Sequence, residues 1–163
     1  MSDPLATYLH DHLAGSVHAI SLLEFIRDEH DGERLGRFAS SLLREIQADR
    51  ETLLDLADRV GVGSSEVKEL TAWVSEKFSR LKLRRGAQNG FGTFEALEFL
   101  ELGIHGKWAL WRALGTVAET DTRLRGLDYE HLAARAEAQR NLVEERRLET
   151  ARQVLHPARS ARN

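Results

Sequence analysis

An all-α fold follows from three features of this 163-residue sequence. Its two prolines, Pro4 and Pro157, stand at opposite ends, so nothing between them has to break a helix. Glycine does the punctuating instead, at Gly32, Gly61, Gly63, the run from Gly86 to Gly92, Gly115 and Gly126. The segments between are long, rich in Leu, Ala, Glu and Arg, and carry apolar residues at helical spacing.

Composition sets the outer bounds. The chain is 42% hydrophobic and 30% charged, ordinary values for one globular domain with a real core. We expect that domain over residues 1–155, with a polar, fraying tail from 156 to 163. A net charge of −3 gives no general attraction to nucleic acid or a membrane. Cysteine is absent, which excludes disulfides, thiol nucleophiles and iron–sulfur ligation and suits a reducing cytoplasm. The N-terminus lacks the basic region and apolar run of a signal peptide, and no stretch approaches the roughly 20 apolar residues of a membrane span. There is no glycine-rich phosphate loop and no ordered Ser-His-Asp set.

Helix one is expected from about Asp3 to Asp28, with Leu5, Leu9, Leu13, Ile20 and Leu23 as its apolar stripe. His12 and Ser16 fall within that stripe. Asp11 and His18 fall opposite, so His10 and His12 diverge and do not chelate together. Gly15 marks a place for another backbone to approach. Helix two is expected from Gly32 to Val60, capped by Asp31, with Leu35, Phe38, Leu42, Ile46, Leu53, Leu56 and Val60 on its inner face. Asp49 stands near the centre of that face, and Glu45 one turn earlier.

Residues 61–92 are too long for a tight turn. They hold an amphipathic segment with Val67, Leu70, Val74, Phe78 and Leu81 on one face and Ser64 or Ser65 as its cap. Its cationic end, Lys77, Arg80, Lys82, Arg84 and Arg85, suits the negative end of a helix better than a nucleic-acid site, because few aromatic residues interleave it. Residues 86–92 form a hinge into the third long helix.

That helix, after an N-cap at Thr93, is apolar nearly all round and is expected in the middle of the protein. Glu98, Glu101 and His105 share one stripe of it, with Phe94 and Trp108 among them. Gly103 and Gly106 lie on a second face, where small residues let another helix approach closely. Trp108 and Trp111 read as core. Helix four is expected from Asp128, its cap, to Leu155. Its heptad line of Tyr129, Ala133, Ala136, Arg140, Val143, Arg147, Thr150 and Val154 puts two arginines at core-type positions, with Glu137 and Glu144 one step aside.

Four long helices with a long linker after the second resemble the ferritin-like superfamily of di-iron carboxylate proteins. The resemblance implies a ferritin-like up-down four-helix bundle whose crossover, holding an additional helix, joins helices two and three. In that family a Glu on one helix and Glu-x-x-His on the next, given twice, hold paired metal ions. Aligned by helix centre, His12 falls near the first glutamate, Glu45 and Asp49 near the second-helix pair, Glu101 near the third-helix glutamate, and Glu137 and Arg140 near the fourth-helix pair. The sequence contains no Glu-x-x-His, and its one acid-x-x-His, Asp128 to His131, sits at a helix start. It looks like a bacterial branch with an incomplete metal motif.

Buried carboxylates need a partner or a metal, which leaves two explanations. In the first, Asp49, Glu101, Glu45, Glu137, His12 and His105 ligate iron or manganese for oxygen or peroxide chemistry. In the second, Arg140 and Arg147 neutralise Asp49 and Glu101 as ion pairs, and the bundle is non-catalytic. The inward arginines favour the second, since a bound dication and a guanidinium at one place repel. Such a bundle would serve as a homodimeric or partner-binding module, or hold a small ligand between its helices.

Overall fold

A computed structural model of the protein describes residues 3–63, 65, 67–69, 72 and 90–156. Among them are four long helices and one 3-10 turn: α1 (Pro4–Glu29), α2 (Arg34–Val60), α3 (Phe91–Val117), the turn Thr122–Leu124, and α4 (Tyr129–Val154). No strand occurs among the described residues. Most of the crossover segment lies outside them, including Leu70, Val74, Phe78, Leu81 and the cationic cluster from Lys77 to Arg85, as does the tail beyond His156.

The helix ends follow local chemistry. Asp3 caps α1, its side chain accepting from the Leu5 N–H, and Pro4 occupies the first turn, where its missing donor costs nothing. Asp128 caps α4, accepting from the His131 N–H at 2.9 Å, so the acid-x-x-His pair is a helix start. Gly61 ends α2 in the left-handed region at φ 92°, where a side chain would be strained. Two expected caps shift. Glu33 rather than Asp31 precedes α2, and α3 starts two residues before Thr93, after Gly90 at φ 80°.

Thr93 is buried instead, and its hydroxyl shares a 2.9 Å hydrogen bond with His30 Nε2. His30 Nδ1 meets Glu33 at 3.0 Å, so one imidazole ties the α1–α2 turn to the start of α3. At the far end Arg123 binds Asp3 at 2.7 Å, placing the start of α1 beside the end of α3. There too, Arg59 at the end of α2 donates to the Arg125 carbonyl at 3.1 Å. Helices α1 and α3 are therefore antiparallel, and α2 finishes at the end of the bundle opposite to where α3 begins.

Leu9, Leu13, Leu22, Leu23, Ile26, Leu56, Leu97, Leu100, Ile104, Leu110, Trp111 and Leu114 fill the centre, all with under 2% of their surface exposed. At roughly 1.5–3 kcal/mol for each large side chain buried, this layer supplies most of the drive to pack the helices. Trp111 is core as expected, while Trp108 is half-buried, stacked on His105 and lying under Arg112. The close helix approaches fall elsewhere than expected. Among the described residues, a Cβ at Gly15, Gly103 or Gly106 would meet nothing within 4 Å, whereas one at Gly36 would collide with the His30 carbonyl. Nor is α3 surrounded on all sides, for Phe99 and Leu102 are exposed.

Candidate functional site

Glu45 and Asp49 stand one turn apart on α2, and Arg135 and Gln139 one turn apart on α4. Because the two helices run antiparallel here, these turns meet in register, Asp49 with Arg135 and Glu45 with Gln139. Asp49 is 3% exposed. Arg135 donates to its Oδ1, and Lys107, reaching in from α3, donates to its Oδ2 and to Gln139 Oε1. Gln139 in turn donates from Nε2 to Glu45 at 2.9 Å. Three helices are thus joined through one carboxylate whose two oxygens both face cations.

Burial dominates the electrostatics. It pulls the Lys107 ammonium down to about 7, with the Glu45 carboxylate opposing it. Burial also lowers His12, against the pull of neighbouring Asp11, which favours a neutral imidazole. His12 sits edge-on to Tyr8, ring centroids 4.6 Å apart.

Beside the cluster lies a cavity of about 50 Å³ between α1, α2 and α3. His12, Ser16, Asp49, Arg50, Lys107 and Trp111 give its polar or aromatic lining. Trp111 Nε1 and Arg50 Nε are both buried there with no acceptor among the described residues. Unpaired buried donors are costly, so such a space suits a small acceptor such as water or a small anion.

The sequence-derived candidates separate into three places. Asp49 and His12 line the cavity, and Glu45 joins Asp49's network from an exposed position. Glu101 and His105 lie at the α3–α4 seam on Arg140, at 3.5 Å and 3.1 Å. Glu137 is exposed and lies on a surface groove with Trp108 and Arg112. Among the described residues no group of three or more His, Asp or Glu is arranged to hold a metal ion. With both Asp49 oxygens committed to cations, these residues do not fit the dinuclear metal group that a ferritin-like bundle implies.

The expected ion pairs are partly redistributed. Arg140 meets Glu101 but not Asp49. Arg147 is held by Glu144 at 2.6 and 2.8 Å and by Glu98 at 3.1 Å. The reason is rotational. The α4 line through Arg140 and Arg147 faces the edge of α3, while the line Leu132, Arg135, Gln139, Val143 turns inward to α2. Sequence reading missed Lys107, Arg135 and Gln139. The available signal was that Lys107 is the one charge on the helical line Leu100, Ile104, Lys107, Trp111, Leu114.

Comparison with known proteins yields no match: no family model, no curated protein and no solved structure corresponds to this chain.

Proposed function

We propose that this chain is a non-catalytic helical bundle of ferritin-like topology, in which a cationic clamp on one buried carboxylate stands where the family keeps metal. The observation that carries this reading is Asp49, closed between Lys107 and Arg135. Support for the topology comes from the helix directions: α2 ends and α3 begins at opposite ends of the bundle, as a long crossover requires. A dication brought to Asp49 would have to displace an ammonium and a guanidinium, each already compensated.

Metal analysis tests it directly. Protein made without a metal-affinity tag, in cells supplied with iron and manganese, should contain far less than one ion per chain, and should stay empty after anaerobic ferrous loading. A stoichiometric content of iron or manganese that Asp49→Ala abolishes would overturn the reading.

A second reading, binding of a small solute, is favoured by the unpaired Trp111 and Arg50 donors in the cavity. Formate, nitrite or chloride should then raise the melting temperature in a saturable way, through preferential binding to the folded state. Gly103 also lines the cavity, and filling it with Gly103→Leu should remove that dependence. A melting temperature that follows ionic strength alone would leave water as the occupant and sink the solute reading.

A further inference from the structure

Only four of the 23 basic residues of this chain are lysines, and three of them, Lys68, Lys77 and Lys82, belong to the segment between α2 and α3. The fourth is Lys107, which closes on Asp49. Arginine takes every other basic position, and Arg135 already shows that a guanidinium can serve Asp49. A lysine differs in one chemical respect. Its ammonium can lose a proton and become a nucleophile, which a guanidinium does not do in a protein.

Lys107 stands in the wall of the cavity between α1, α2 and α3, with its side chain 15% exposed. Its Nζ donates to Asp49 Oδ2 and to Gln139 Oε1. That leaves the third N–H position without an acceptor among the described residues. Burial brings the ammonium down to about 7, so at neutral pH a large fraction is the free amine.

The same cavity offers a seat for a carboxylate. Trp111 Nε1 and Arg50 Nε are buried at it with no acceptor among the described residues, and Trp111 is only 1% exposed. Charge points the same way. The carboxylates of Asp49 and Glu45 are set against the cations Lys107, Arg135 and Arg50, so these groups carry a positive charge in excess. A monocarboxylate in the cavity removes that excess. A volume of about 50 Å³ admits only a few non-hydrogen atoms. An occupant that uses both features has a carboxylate for Arg50 and Trp111 and an adjacent carbonyl for Lys107. Glyoxylate is the simplest such molecule.

We infer that this cavity captures a small 2-oxo acid covalently, with Lys107 Nζ joined to its carbonyl carbon as an imine and the carboxylate held by Arg50 and Trp111. The amine adds to C2, forming the Nζ–C2 bond. The C2–O bond then breaks, and the oxygen leaves as water with two protons that began on the ammonium. The product is a protonated imine, so the positive charge opposite Asp49 is kept and no other reactant is consumed. This capture rests on the solute reading of the cavity and adds the covalent bond to it.

Glyoxylate with cyanoborohydride tests the bond, because hydride reduces the imine at C2 and leaves a stable carboxymethyl group on the lysine. In the full chain, peptide mass spectrometry should find that group forming on Lys107 about tenfold faster than on Lys68, Lys77 or Lys82. Unfolding in urea should abolish the preference. Equal labelling of all four lysines in the folded protein, or none at Lys107, would overturn the capture. Formate, competing for the carboxylate seat, should slow labelling at Lys107 alone. Arg50→Gln should slow it by about tenfold or more at unchanged helical circular dichroism, since a charge-assisted donor is lost. A rate equal to wild type would remove Arg50 from the seat. If glyoxylate and formate raise the melting temperature saturably while Lys107 stays unlabelled, solute binding stands and the capture falls. If neither acid changes the melting temperature, both fall.

Discussion

Asp49 shows how one residue can be legible and its partners not. An aspartate at the centre of the α2 stripe announces a buried charge from the sequence alone, and it is buried. What compensates it depends on how two other helices are rotated about their axes. Removal of either cation should therefore reveal the true partners. Lys107→Met and Arg135→Met should each destabilise the protein by about 3–5 kcal/mol in urea unfolding, because each leaves one oxygen of a buried carboxylate without its cation. Arg140→Ala should cost under about 1 kcal/mol, since its partners Glu101 and His105 keep access to water and are not fully buried as Asp49 is. Equal costs for Arg135→Met and Arg140→Ala would contradict this ranking. Replacing the set with apolar residues, as Asp49→Leu, Lys107→Met and Arg135→Leu together, should be neutral or stabilising, as such replacements often are.

Among the elements, the α1–α2 hairpin is set by contact rather than by propensity. Its turn is short, and His30 serves both helices and α3 at once. Gly36, one of the first residues of α2, packs flat on the His30 carbonyl, and a Cβ there has nowhere to go. On helix propensity alone, Gly36→Ala should stabilise by up to about 1 kcal/mol. The collision reverses that sign, and we expect a loss of about 1–3 kcal/mol, measured as a lower urea midpoint at unchanged slope. Gly15 and Gly103 give the control: both are mid-helix with open space around them among the described residues, so Gly15→Ala should follow propensity and stabilise. Sequence reading singled out Gly15 and passed over Gly36, because a close approach is a property of two backbones.

At the scale of the whole molecule, the bundle is tied at its ends as well as through its centre. Arg123, just past α3, holds Asp121 at 2.6 Å and Asp3 at 2.7 Å, so the N-terminus of α1 is fastened to the far end of α3. The guanidinium keeps both carboxyls below their ordinary value of 3.8. A carboxylate with a lowered folded pKa contributes stability that is present above its unfolded value and is lost as pH falls through the folded one. Wild type should therefore melt above Arg123→Met at neutral pH. That advantage should shrink below about pH 4, and also with added salt, since these groups are at the surface. An advantage that is independent of pH would mean that Arg123 acts by packing alone.

The sequence by itself determined the all-α class, the four long helices to within three residues at their ends, the cap at Asp128 and the burial of Asp49 and Trp111. These are local: proline position, glycine punctuation, apolar period and capping chemistry act within a few residues of chain. It also placed Glu98, Glu101 and His105 on one face of α3, because a helix fixes that relation. Only the tertiary structure decided that this face meets the arginines of α4 at a half-exposed seam. The same holds for Lys107 and Arg135 as the groups that close on Asp49. Each of these depends on the rotation of one helix against another. That rotation is set by the packing of the whole core, in which a shift of one position along a helix turns a side chain by about 100°.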